Sequence, residues 1–404
     1  MARLRGHSGL KDRGLERGTS APSGAAVGQM WFNTNTGVLY QYTNDGTSSF
    51  WLDVSSGGIG TSISENVDFV GDNDPHTTTN GTGLAVGSVY YNRENNRYFI
   101  CSDATTNSNV WTGRFSGNGG VISDFADGTD RWKVHTFKVS DHFYMDGTTV
   151  CDYLVVAGGG SSGRTNGATG GNGGGGAGGV LTGASYTIPS GHYKVTVGNG
   201  GAGRQGTIGR GYAGENSSIG SLRVAIGGGQ GGVGTSGDQP GLTGGSGGGA
   251  GGSSSSGGAA TAGQGNAGGG SSDAGGHGGG GAGAAGANAS GNSGGAGGIG
   301  TKVIMGLTDT KSTALLAAVS AGELSGGYRY LAGGGGGCNN AAGAGALGGL
   351  GGGGDANPSP PATAKGFGEN GHVNTGGGAG ASGYSNTEGT AGGSGIVIIR
   401  YQLV

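Results

Sequence analysis

Side chains able to do chemistry are sparse in this sequence and fall into a few groups. Asp124, Asp127 and Asp130 recur at three-residue intervals, and Asp72, Asp74 and His76 crowd a Gly-Asp-Asn-Asp-Pro run. Carboxylates so spaced could hold a hard cation, but neither pattern sets oxygens around one ion as a calcium loop does. Both read as solvated turns in which Asp and Asn bond their own backbone. His277 stands alone among glycines, and no Ser/His/Asp set or carboxylate pair is spaced for catalysis. Gly-x-Gly-x-x-Gly matches abound, yet none opens a crossover helix, and no Gly-Lys-Ser/Thr occurs. Cys101, Cys151 and Cys338 are too scattered for a disulfide framework or a zinc site and read as small buried thiols. No enzymatic activity, cofactor or metal is therefore expected.

A recognition role would instead need polar and aromatic groups held at exposed turns of a rigid frame. The side chains that interrupt a glycine background in this way are Arg204, Gln205, Arg210 and Tyr212; Asp238 and Gln239; Asn339 and Asn340; Asp355 and the run from Asn357 to Pro361; and Phe367, Glu369, Asn370, His372 and Tyr384. A second candidate surface is the locally basic start of the chain, with Arg3, Arg5, Lys11, Arg13 and Arg17 against Asp12 and Glu16. Such a segment cannot fold alone and reads as an arm that orders on a partner.

The frame itself is glycine. Of 110 glycines in 404 residues, 21 precede residue 151 and 89 follow it. The later share is about a third, against a usual share of about 7%. With 32% hydrophobic and 11% charged residues, the chain has too little apolar surface for an ordinary large core and too little charge for a solvated disordered tail. Seven prolines and a broken triplet register exclude collagen. A net charge of -3 gives no attraction to nucleic acid, and no apolar run is long enough to insert in a membrane. The first residues lack the apolar stretch of an export signal, so synthesis in a cytoplasm is expected.

Elements that could position the candidate residues follow from the pattern. Met30 to Tyr42 aligns with Val89 to Cys101, and Trp51 and Trp111 trail the two copies. Each copy reads as a β-hairpin plus one more strand, with turns at Asn35-Thr-Gly37 and Asn95-Asn96. Strand-like segments from Trp132 to Val156 lead into the glycine field, and Ile396 to Ile399 leads out, pairing with Leu154 to Val156 in one sheet. Shorter β segments are expected at 186–188, 193–197, 222–226, 303–305 and 328–331, and a helix over Thr313–Ala321 before a Gly322 stop. Within the field, Gly170, Gly173, Gly176 and Gly179 fall on a three-residue lattice; so do Gly245, Gly248 and Gly251; Gly291, Gly294, Gly297 and Gly300; and Gly389, Gly392 and Gly395. Three residues per turn is the polyproline II period, which makes no internal hydrogen bonds. The expected fold is mostly β plus polyglycine II: a bundle of glycine helices on a small β base. The expected parts are a basic arm (1–27), a first hairpin module (28–56), a linker (57–86), a second module (87–131) and the glycine-rich domain (132–404).

Two resemblances follow from these residues. The run Gly18-Thr-Ser-Ala-Pro-Ser, Val27-Gly-Gln-Met-Trp-Phe-Asn-Thr-Asn-Thr-Gly-Val-Leu-Tyr and Trp51-Leu-Asp-Val resembles the small hairpin modules of bacteriophage tail fibres and tail spikes. The entry Tyr153-Leu-Val-Val-Ala-Gly-Gly-Gly, the run Tyr193-Lys-Val-Thr-Val-Gly-Asn-Gly-Gly-Ala and the exit Gly-Ile-Val-Ile-Ile-Arg-Tyr401 are similar to the glycine-rich domain of many phage fibre and adhesin proteins. The chain also resembles the fibre-tip adhesins of T-even-like phages, which carry stacked polyglycine II helices. The resemblance implies a virion protein of the phage tail, a homotrimer mounted on other tail proteins through the basic arm. It also implies that loops between the helices contact a host surface glycan or outer-membrane component. A structural fibre segment without host contact is the first alternative, separable by cell binding. An ice-binding protein is the second, separable by thermal hysteresis.

Overall fold

The computed structural model describes residues 16–25, 27, 29–33, 38–44, 49–53, 68–71, 75, 78–92, 97–114, 117–127, 130–145, 147–165, 170–234, 240–253, 256–340, 344–356, 367–383 and 388–403. The chain divides into two compact units, Met1–Gly113 and Arg114–Val404. It is mostly β, with one short helix among the described residues.

The first unit holds two four-stranded sheets of one plan. In the first, β1 (Glu16–Gly18) runs parallel to β2 (Met30–Asn33), which pairs antiparallel with β3 (Val38–Asn44), and β3 with β4 (Ser49–Asp53). The register sets Trp31 opposite Tyr40 and Tyr42 opposite Trp51, so all four rings share a face. Trp31 stacks on Tyr40 at 5.1 Å and meets Trp51 edge-on at 5.6 Å. In the second sheet β5 (Phe69–Gly71) is parallel to β6 (Val89–Asn92), followed by β7 (Arg97–Asp103) and β8 (Val110–Arg114). The expected turns at 35–37 and 95–96, and Asp72, Asp74 and His76, lie outside the described residues.

The second unit begins with β9 (Gly117–Asn118), β10 (Val121–Asp127), β11 (Asp130–Phe137), β12 (Asp141–Met145) and β13 (Thr149–Val156). It continues through β14 (Val180–Ile188), β15 (Gly191–Thr196), β16 (Ser217–Ile219) and β17 (Arg223–Ala225). Then come α1 (Asp309–Ala318), β18 (Glu323–Ser325), β19 (Tyr328–Tyr330) and β20 (Ile396–Leu403). Its central sheet has the order β10-β11-β20-β13-β14. The span 87–131 is thus divided: β9 and β10 pair with strands of the second unit. The reason is register, since β10 closes a hairpin whose second strand, β11, is zipped along β20.

Leu154-Val-Val156 and Ile396-Val-Ile-Ile399 are continuous apolar runs because their sheet is covered on both faces. They pair directly, Leu154 opposite Ile398 and Val156 opposite Ile396. On one face Leu154, Val156, Ile396 and Ile398 pack against Ile304, Met305, Leu315, Leu316 and Leu331. On the other, Tyr153, Val155, Val397 and Ile399 pack against Phe143, Met145, Val195 and Ile219 of the second sheet, β17-β16-β15-β12-β9. Each such aliphatic side chain contributes about 1.5–3 kcal/mol when fully buried. Across the sheet Arg400 stands opposite Asp152, and its Nε and Nη2 donate to one carboxylate oxygen at 2.9 and 2.7 Å.

Two local expectations shift. The helix runs from Asp309 to Ala318, starting a turn earlier than 313, because the Thr308 hydroxyl caps it by accepting from the Lys311 amide and Asp309 sits in its first turn. Val303-Ile-Met305 is no strand: Met305 has φ of +54°, and Ile304 and Met305 are buried as a plug beneath the sheet.

Between β13 and β20 the glycine tracts are extended but belong to no ladder, and their backbone bonds go to several neighbours in rotation. Gly173, Gly176 and Gly179 donate to Gly232, Gly229 and Ile226; Gly171, Gly174 and Ala177 donate to Ala274, His277 and Gly280; Gly175 and Gly178 donate to Ala379 and Gly376. The same tract accepts from Gly252, Gly249 and Ser246, from Cys338 and Gly335, and from Gly160 and Ala157. Residues 171–179 are therefore bonded through their backbone to six other stretches of chain, and each partner number changes by three at each step. Gly294, Gly297 and Gly300 likewise donate to Ala344, Leu347 and Leu350, and Gly389, Gly392 and Gly395 to Arg204, Gly201 and Gly198. This pairing satisfies groups that burial would otherwise penalise.

Candidate functional site

The tracts have a sheet end and a far end, and the bonds say which residues share each. At the sheet end Ala157 bonds to Gly179, Gly178 to Gly376 and Gly395 to Gly198. At the far end Gly171 bonds to Ala274, Gly275 to Gly291, Asn340 to Asn292, Ser162 to Thr390 and Gly389 to Arg204. Loops separated by up to about 230 residues in sequence thereby meet, because each tract delivers its neighbour to the same edge.

Arg204, Gln205, Arg210 and Tyr212 sit together on one far-end loop. The Arg204 Nε donates to the Thr207 carbonyl at 3.3 Å and its Nη2 to the Thr207 hydroxyl at 3.2 Å. Arg204 Cζ lies 5.5 Å from the centre of the Tyr212 ring, while the Arg210 Nε donates to the Pro240 carbonyl at 2.9 Å. Gln205 and Tyr212 are exposed, and Arg204 and Arg210 half-buried. Arg164, which the sequence reading passed over, joins them: its backbone exchanges hydrogen bonds with Gly209 and its Nη1 donates to the Gly206 carbonyl at 3.0 Å. Its signal was a lone arginine in a glycine and serine run, Ser161-Ser-Gly-Arg164.

Asn339 is buried and Asn340 half-buried, next to Cys338. The Cys338 Sγ accepts from the Asn172 amide at 2.8 Å, and burial pushes its thiol up to about 12, so it stays neutral. The Asn172 side chain donates to the Ser382 carbonyl at 3.2 Å and accepts from the Gly234 amide at 3.3 Å, closing the far end where tract partners run out. His277 is buried in a tract, its Nδ1 accepting from the Ala289 amide at 2.9 Å; burial lowers its pKa, and Asp273 opposes that. Its setting is structural.

Phe367, Glu369, Asn370 and His372 are exposed on one stretch. The Glu369 amide donates to Asp355, and the Asn370 side chain accepts from the Ala391 amide at 2.8 Å. His372 lies toward the sheet end: the Thr375 hydroxyl donates to its carbonyl, and Gly376 next to it receives Gly178. Asp238, Gln239, Asn357 and Tyr384 lie outside the described residues, as do Arg3, Arg5, Lys11 and Arg13. Arg17 is in β1, opposite Phe32. Asp124 and Asp127 are on β10 and pair with Lys133 and Lys311, so the aspartate series belongs to a hairpin and its ion pairs. All three cysteines are buried and free.

A family model described as a glycine-rich domain matches residues 138–402. No curated protein matches the chain.

Proposed function

The chain belongs to the glycine-rich domain family across residues 138–402, and from that premise we propose that it is the receptor-binding adhesin of a bacteriophage tail fibre. In this reading residues 1–27 and the two hairpin modules mount it on other tail proteins. The virion form is a homotrimer, made in the host cytoplasm and carried on the tail. The tracts act as polyglycine II helices, in which three residues complete a turn and nine residues reach about 28 Å.

The observation that carries the reading is the three-residue step of the backbone bonds, with six neighbours around residues 171–179. A frame bonded through its backbone needs few side chains, so exposed ones at the far end, such as Gln205 and Tyr212, are available for recognition. The ligand is a host surface glycan or outer-membrane component.

The test is genetic. In a phage whose fibre carries this chain, removal of residues 114–404 should leave particles that assemble but do not adsorb. Unchanged adsorption overturns the reading, and failure to assemble favours a purely structural fibre segment.

A further inference from the structure

The fully buried His135 ring is clasped by the β9 segment at both of its nitrogens. Its Nδ1 lies 2.9 Å from the Gly119 carbonyl, which can only accept, so in the neutral ring Nδ1 carries the proton and Nε2 is an acceptor. Nε2 faces the Tyr401 hydroxyl at 3.4 Å, and that hydroxyl accepts from the Gly117 amide at 2.7 Å. Residue 119 thus meets the ring directly and residue 117 through Tyr401. Both lie this close because they lack Cβ. One on Gly117 would fall 3.1 Å from His135 Nε2, and one on Gly119, whose φ is +121°, would meet the His142 carbonyl oxygen. Phe143 meets the ring edge-on at 5.0 Å, and Tyr401 stacks on it at 5.6 Å.

Charged and titratable groups surround the ring on several elements. Lys133, two residues back on β11, pairs with Asp124 of β10. Tyr401 comes from β20, and β12 brings His142 and Asp141, whose carboxylate accepts from the Gly120 amide at 3.2 Å. The two residues of β9 carry no charge. Among the described residues no carboxylate bonds to the ring. Burial lowers its pKa, Lys133 acts in the same direction and the Gly119 carbonyl opposes them. A proton on Nε2 turns it into a donor, so the Tyr401 hydroxyl must turn its hydrogen away, and the charge is left without water. Hydration requires one cover to lift. Long ladders hold β10, β12 and β20, whereas β9 is held to β12 by two residues only. We propose that β9 is an acid-released latch: protonation of His135 lifts residues 117–120 off the ring, freeing the start of the second unit and baring the β12 edge at Tyr144 and Met145.

Hydrogen exchange of the full chain tests this, with each rate divided by that of an unstructured peptide at the same pH. Protection of residues 117–120 should fall by up to about tenfold from pH 7.5 to 5.5, since opening takes up one proton. The fall should need no denaturant, while β13 stays protected until denaturant unfolds the unit. His135→Gln should remove the pH response, and His142→Gln should keep it. Tyr401→Phe takes away the acceptor of the Gly117 amide and should lower protection already at pH 7.5. Equal protection of residues 117–120 at the two pH values overturns the latch, as does exchange only together with β13. So does a pH response that survives His135→Gln, or native protection in Tyr401→Phe. Where His135→Gln does not fold, the native chain and Tyr401→Phe decide.

Discussion

Arg400 is buried to 2% exposure in the central sheet, with Asp152 as its carboxylate partner and Trp132 4.0 Å beneath its guanidinium carbon. The Asp152 carboxylate also accepts from the Ser185 amide at 3.0 Å, so the pair ties β20, β13 and β14 together. Removing one partner strands a buried charge. Arg400→Met should cost about 3–5 kcal/mol in urea unfolding, and Arg400→Met with Asp152→Leu much less. His135 gives a pH-dependent counterpart. Burial lowers its pKa below the ordinary 6.5, against the raising effect of the Gly119 carbonyl 2.9 Å from its Nδ1. The unfolded chain then binds a proton that the folded chain does not, so stability is full above about 6.5 and falls as pH drops toward the lowered value. The unfolding midpoint should be lower at pH 5.5 than at 7.5, and His135→Gln should narrow the gap, with His277 supplying the remainder. A midpoint flat over that range contradicts a buried neutral His135. Neither the ion pair nor the histidine was legible in the sequence. Asp152 and Arg400 are 248 residues apart and meet only through strand register.

At the scale of elements, the two apolar runs that flank the glycine field were legible, because alternation is lost when both faces of a strand are buried. So were the three-residue lattices, since any tract packed against several neighbours must keep its close-contact positions free of Cβ. Gly175 tests this. A Cβ there would overlap the Gly160 carbonyl oxygen, which is backbone and cannot move aside, whereas Ala177 in the same tract is buried with its methyl accommodated in the core. Gly175→Ala should destabilise the second unit by more than about 3 kcal/mol, as overpacking against fixed atoms does. Ala177→Gly should cost about 1–2 kcal/mol, from a lost methyl and added backbone freedom. Comparable losses in thermal unfolding for the two would contradict close backbone contact at Gly175. The helix start was misplaced because the capping signal, Thr308-Asp309, lies ahead of the alanine and leucine run that suggests a helix.

At the scale of the molecule, the boundary between the two compact units, at Gly113 and Arg114, was not legible. β9, β10 and β11 look like continuations of the hairpin series, but β9 pairs with β12 and β11 with β20, so their unit is set by partners distant in sequence. The far-end loop was half legible for the same reason. Arg204, Arg210 and Tyr212 announced themselves against glycine, and only the pairing of Arg164 with Gly209 brings in the third arginine.

Because β13 and β20 are direct neighbours, residues 157–395 form a closed loop whose two roots are clamped side by side. Tension arriving through the strands on either root is taken by ladder bonds between β11, β20 and β13, loaded together in shear. The tracts are out of that line, as a flag is out of the load on its pole. A pull applied between those two roots would therefore strain the sheet before the tracts.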